Sequence, residues 1–157
     1  MSRPIVRRAR DGFRWEGVEL LRYKEEGVAP FRDVTRQVLF DEAPAGTQWR
    51  YFEVAPGGHS TLERHEHTHA VLVLRGRGRV LVGDEVHAIR AHDLVEIGPM
   101  TWHQFRAAPD DALGFLCLVA SDRDRPQLPD ERQLAELRAN PVVARFLDGV
   151  PGHPSER

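Results

Sequence analysis

The stretch GGHSTLERHEHTHAVLVLRG, residues 57–76, decides how the rest of the chain is read. It begins just after Pro56 on a glycine pair, which signals a turn, and runs into HAVLVL, residues 69–74. Successive side chains of an extended strand point to opposite faces, so Glu63, His65 and His69 share one face, and His67 has the same parity. Two imidazoles and a carboxylate on one face suit a divalent transition metal. The chain holds 8 histidines, and His59, His65, His67 and His69 all fall in this one segment.

The flanking sequence is a series of short runs rich in Val, Leu and Ile: RVLV (79–82), EVHAI (85–89), residues 93–97, WHQFRA (102–107) and GFLCLVA (114–120). Turn residues separate them, RGRG (75–78), Gly83-Asp84 and Gly98-Pro99 among them. Recurrence at roughly 8–12 residues is the pattern of an all-β sandwich or barrel. Gly83-Asp84 predicts a tight hairpin. AVLVL (70–74) is apolar at every position, which predicts cover on both faces. One face would look into the barrel, and the other would meet a second sheet, the N-terminal strands or another subunit.

Upstream, QWRYFEVA (48–55) and FRDVTRQVLF (31–40) read as strands, and WEGVELLRYKE (15–25) is read as a strand although it also fits the start of a helix. Arg50 and Tyr51 must face opposite ways, and alternation does not say which points inward. Downstream, SDRDRPQLP (121–129) is a linker, and two short helices follow. Asp130 is the expected N-cap of the first, Asn140-Pro141 starts the second, and Gly149 and Pro151 stop it. The layout is one domain overall: an N-terminal arm and strands (1–47), a barrel core (48–120), and a linker with helices (121–157).

His103, after the Gly98-Pro99 turn, is the fourth candidate ligand. A carboxylate and three histidines would leave an octahedral metal two open positions. Phe105 shares the parity of His103 and is the better pocket candidate; Trp102 is the other. His59, His87, His92 and His153 read as turn or surface residues. Cys117, the single cysteine, lies in an apolar run and reads as a buried thiol.

These residues resemble the cupin superfamily, in particular its single-domain metal-binding members. The first cupin motif is Gly, five residues, His, one residue, His, three residues, Glu, six residues, Gly. With Gly57 at its start and Gly76 at its end, every spacing fits. Glu63 then stands where the first histidine would be, His65 at the second, and His69 at the glutamate. A register on His65 and His67 instead puts Val71 at the carboxylate position and breaks the glycine spacing, so His67 is the reserve ligand. The second motif fits HDLVEIGPMTWHQFRA (92–107), with Asp93 and His103 kept. His92, Gly98, Met100 and Ala107 replace the usual Gly, Pro, Gly and Asn. The resemblance implies an all-β, single cupin-type barrel, a double-stranded β-helix or jelly roll, with the short C-terminal helices added. It also implies a metal inside the barrel and a homodimer.

Composition narrows the function. With 22 Lys and Arg against 24 Asp and Glu, the formal net charge is −2. That argues against a general electrostatic grip on nucleic acid or an acidic membrane. The arginines within residues 3–14 read as a solvated arm. One cysteine excludes an intrachain disulfide and a Cys-rich zinc site. No apolar run of membrane-spanning length is present, and the N-terminus lacks the apolar segment of a secretory signal, so a cytoplasmic protein is expected.

The expected cofactor is one divalent transition metal held by Glu63, His65, His69 and His103. Mn2+ or Fe2+ is favoured by the mixed oxygen and nitrogen donors, with Zn2+, Ni2+, Co2+ or Cu2+ also compatible. The expected function is a metal-dependent, dioxygenase-like enzyme acting on a small oxygen-rich molecule. The alternatives are a non-catalytic sensor or storage module, then a metal-dependent isomerase, hydrolase or lyase. Metal-free epimerisation ranks last, since it needs a His base and a Tyr acid instead of a ligand cluster.

Overall fold

In the computed structural model of this chain, residues 6–22 and 32–152 are described. The chain forms β1 (Ala9–Arg10), β2 (Arg14–Trp15), β3 (Leu21–Arg22), β4 (Arg32–Glu42), β5 (Thr47–His59), β6 (His69–Val82), β7 (Glu85–Arg90), β8 (Leu94–Ile97), β9 (His103–Ala107) and β10 (Leu113–Ala120). Two helices follow, α1 (Glu131–Arg138) and α2 (Pro141–Leu147). The all-β expectation is met. Of the strand expected at 15–25, only Trp15 at the end of β2 and the two-residue β3 are extended, and residues 23–25 lie outside the described part, as does His153.

The barrel closes through two strands. β5 pairs with β4, β9 and β10, while β6 pairs with β9 and β10, so the β5, β10, β6 and β9 ladders form a ring. All pairings are antiparallel. Closure satisfies the edges of the central strands and buries one face of each.

The register fixes what points inward. Val38 lies opposite Arg50, Arg50 opposite Cys117, and Cys117 opposite Val71. One step along, Arg36 lies opposite Phe52, Phe52 opposite Phe115, and Phe115 opposite Val73. Phe52, Val54, Val71, Val73, Phe105, Leu113 and Phe115 make the interior core. Tyr51 faces the other way and is 1% exposed, beneath Phe13 and Trp15 at ring separations of 5.8 and 5.1 Å. The question of facing at positions 50 and 51 is thereby answered: Arg50 is inward, and Tyr51 is buried under the N-terminal hairpin.

The expectation that RGRG breaks the chain into two strands is corrected. β6 runs unbroken from His69 to Val82, and the glycines serve close packing. Gly76 sits at φ 70° beside a bulge, where the β6–β10 register shifts, and a Cβ there would collide with the Ala112 carbonyl. A Cβ at Gly78 would collide with the Arg106 carbonyl. The hairpin at Gly83-Asp84 is as expected, with Val82 paired to Glu85.

The helices obey their caps. The Asp130 side chain accepts from the Gln133 N–H while the Gln133 side chain accepts from the Asp130 N–H, a capping box. Asn140 caps α2 through the Val142 N–H. Val143 and Phe146 of α2 are fully buried against Leu62 and Leu81, covering the outer face of the far half of β6. The near half differs: Leu72 is 37% exposed on the outer face, so the double cover expected for AVLVL is incomplete within one chain. No helix of the described residues is long and apolar enough to cross a membrane.

Candidate metal centre

His69 is the first residue of β6 and His103 the first of β9, so both are held by sheet hydrogen bonds. His65 lies in the loop before β6, anchored where its carbonyl accepts from the Met100 N–H at 2.7 Å. All three are buried, at 2%, 7% and 3% exposure for His65, His69 and His103. One ring nitrogen from each lies within 4.8 Å of the others.

Their hydrogen bonds set the tautomers. His65 Nδ1 donates to the His67 carbonyl at 2.7 Å, and His103 Nδ1 donates to the Thr101 carbonyl at 2.8 Å. Each therefore keeps a lone pair on Nε2. His69 pairs Nδ1 with Cys117 Sγ at 3.1 Å. The Nε2 atoms of His69 and His103 are buried without a partner among the described residues. Orphaned buried nitrogens cost free energy unless something satisfies them. A cation fits: neutral nitrogen donors converge on one point, each oriented from behind.

Burial also keeps the rings neutral. Desolvation, reinforced by the neighbouring histidines, lowers His65 to about 4 and His69 to about 2. His103 is lowered too, chiefly by burial. Below about pH 6.5 the unfolded chain gains protons that the folded rings refuse, so falling pH costs the metal-free protein stability. The expected slope is about 1.4 kcal/mol per pH unit for each such histidine. His65 stops contributing below about pH 4, its folded value. Urea unfolding of the metal-free protein at pH 7, 6 and 5 should show falling midpoints; a flat profile contradicts neutral burial.

Glu63 is joined to His103 by a two-way backbone bridge, with N–H to carbonyl distances of 3.1 and 2.9 Å. Directly paired residues of an antiparallel bridge present side chains to one face. Glu63 accordingly lines the same cavity, and its charge counters the lowering of both His65 and His103. It is not one of the three residues whose ligand atoms converge.

His67 is held differently. Its ring stacks on His65 at 3.6 Å, with an interplanar angle of 4°, and its Nδ1 pairs with Asp124 at 2.7 Å. The backbone N–H groups of Glu66 and His67 also donate to the Asp124 carboxylate, and these bonds hold it below the usual carboxylate range. His67 thus ties the ligand loop to the linker after β10.

The cavity has a volume of about 220 Å³. Besides these groups it is lined by Phe52, Phe105 and Phe115, with Phe105 and Phe115 stacked at 4.5 Å, and by Arg36, Arg50 and Arg123. Phe105 is where its parity put it. Trp102, one residue from His103, packs on the outer cluster under α2, with the Arg64 guanidinium 4.4 Å from its ring. It does not line this cavity. Arg36 and Arg123 are the residues that sequence reasoning missed, and Arg50 it left open as one of two candidates to point inward. Arg36 shares parity with Val34 and Val38 in β4, a usable signal, but β-strands 4, 5 and 10 had to be paired before they could converge.

Residues 50–119 match the cupin domain. A protein of Rhodospirillum rubrum named 1-methylthio-D-xylulose 5-phosphate methylsulfurylase is 61% identical over 140 residues, covering 89% of this chain and 90% of that one. The chain belongs to the cupin family. Two solved cupin-2 structures are close to it. One, from Rhodopseudomonas palustris, is 52% identical with a TM-score of 0.86, covering 90% of this chain and 98% of its own. Another, from Rhodospirillum rubrum, is 57% identical with a TM-score of 0.85, covering 96% and 100%. In this cupin, then, the metal-binding potential lies in a histidine triad inside the barrel.

Proposed function

We propose that this cupin is a metal-dependent enzyme that cleaves the carbon–sulfur bond of a methylthio ketose phosphate such as 1-methylthio-D-xylulose 5-phosphate. The 61% identity to a protein named for that activity carries the reading. The buried histidine triad beside an aromatic wall supports it.

His65, His69, His103 and Glu63 would hold the metal, Mn2+ or Fe2+ by donor type. When bound, it would supply Lewis acidity to the oxygens of the ketose. The chain's own groups do the rest. Phe52, Phe105 and Phe115 offer the methylthio group an apolar, polarisable surface and keep water from it. The Nδ1 partners of the three histidines fix the rings before substrate arrives. The chemistry balances with a thiol acceptor: its sulfur bonds to the methylthio sulfur as the carbon–sulfur bond breaks. The electron pair stays on carbon 1, beside the carbonyl, and a proton then fills it.

The test is to incubate the manganese-loaded protein with 1-methylthio-D-xylulose 5-phosphate and a thiol, following products by mass spectrometry. Loss of the methylthio group and formation of a methyl disulfide are expected, with Glu63→Gln at least tenfold slower. No turnover by fully loaded protein would overturn the activity and favour the binding-module reading. The dioxygenase-like reading rests on the carboxylate and histidine donor set, and oxygen uptake in the same assay would favour it.

We further infer a homodimer through the outer sheet face. Leu72 lies opposite Leu94, and Phe40 opposite Trp49, on adjoining strands, and all four are more than a third exposed. Sedimentation velocity should show a dimer in the wild type and a monomer in Leu72→Asp; a monomeric wild type overturns this.

A further inference from the structure

We propose that Arg36, Arg50 and Arg123 form an anion subsite in the cavity beside the histidine triad, and that its ligand is the phosphomonoester group of the substrate. The inference rests on the proposed function for its substrate, while the arginine geometry stands on its own.

Three guanidiniums line one cavity of about 220 Å³. Among the described residues none of the three makes an ion pair with a carboxylate. Their hydrogen bonds are few. Arg50 Nη2 reaches Cys117 Sγ at 3.5 Å, a weak acceptor. Arg123 bonds the Ala120 carbonyl at 3.2 Å and Gln48 Oε1 at 3.1 Å, which aims it without neutralising it. The Nε atoms of both Arg36 and Arg50 are buried without a partner among the described residues. The charges feel one another: Arg50 and Arg36 add to burial in lowering Arg123, while Cys117 and Asp41 partly offset them.

Crowding three half-buried like charges, two of them with a buried Nε lacking a partner, is unfavourable for the fold alone. Such a cluster is the expected cost of a site that a ligand completes. The ligand must be anionic, must offer several acceptors, and must be small enough for the cavity. A phosphomonoester dianion meets all three, and planar guanidinium forks match its oxygens two at a time. The position also fits: Cys117 touches both Arg50 and His69, so the anion subsite adjoins the triad. One small molecule can place its phosphate on the arginines and its ketose oxygens toward the histidines.

Calorimetry on the full-length, manganese-loaded protein tests this with D-xylulose 5-phosphate, D-xylulose and inorganic phosphate as probes. The wild type should bind the ketose phosphate at least 100-fold more tightly than the ketose. Inorganic phosphate should bind more weakly than the ester and compete with it. The double variant Arg36→Met, Arg50→Met should lose at least 100-fold in affinity for the ester while holding its full metal content. Its metal-free form should melt no lower than the wild type, because the repulsion is gone. Equal affinity of wild type and double variant for the ester, or of wild type for ester and ketose, overturns the subsite. If the double variant does not fold, Arg50→Lys keeps the charge and loses the fork; a tenfold loss there supports the subsite, and no loss overturns it. Failure of the two proposals is distinguishable. Ester binding through the arginines without cleavage of the methylthio ketose removes the activity and leaves the subsite. Undiminished cleavage by the double variant does the reverse.

Discussion

His69→Ala is expected to abolish tight metal binding, and His65→Ala and His103→Ala to do the same, whereas His67→Ala should leave the metal in place. The first three each offer a ring nitrogen to one point. The fourth has its Nδ1 committed to Asp124 and its ring flat against His65. Loss of a direct ligand should weaken binding by at least 1000-fold, against the roughly 10–100-fold typical of losing a group that only orients one. Cys117→Ala, which removes the Nδ1 partner of His69, belongs to that smaller class. Metal content by mass spectrometry, followed by competition with a chelator, measures both classes. Metal-free His69→Ala should be no less stable than the metal-free wild type against acid, since a ring that resists protonation has been removed. Retention of metal by His69→Ala, or its loss in His67→Ala, would put the centre elsewhere.

Gly78→Ala is expected not to yield folded protein, and Gly76→Ala likewise. At Gly78 the added carbon falls on the Arg106 carbonyl, and at Gly76 on the Ala112 carbonyl. Neither obstacle is a side-chain tip that can swing away; both are backbone of barrel strands or the turn joining them. Gly76 adds a left-handed backbone at φ 70°. The expected cost is more than about 4 kcal/mol at each position, within the range that unfolds a marginal domain. Gly57→Ala is the control. Its φ is 73°, but nothing lies within 4 Å of an added carbon, so the backbone penalty of about 1–2 kcal/mol stands alone. Soluble yield and circular dichroism of the three variants decide the matter, and a folded Gly78→Ala would mean that β6 and β9 can separate.

Those glycines show where the sequence was legible and where it was not. Gly57 and Gly76 fix the spacing of the first motif, and Glu63, His65 and His69 fall between them. Yet RGRG reads locally as a break, because glycine between apolar runs usually marks a turn. Here another strand's carbonyl approaches too closely for any side chain, and that approach exists only after β6 has met β9 and β10. Trp102 repeats the lesson. Its place next to His103 suggested the pocket, but alternation sends it to the outer face, where α2 covers it.

Covalent geometry determined the first layer. Strand alternation marked Phe105 as the partner of His103, and local hydrogen bonding alone placed the caps at Asp130 and Asn140. These features depend on neighbours a few residues away, so the sequence by itself carries them. The tertiary structure decided everything that depends on which strands pair. It bridged Glu63 to His103, turned Arg50 inward and Tyr51 outward, and set Cys117 behind His69. It brought Arg36, Arg50 and Arg123 together from three separate segments. A strand's period states which residues share a face but not which face is inside, and barrel closure supplies that choice because only one face can escape water.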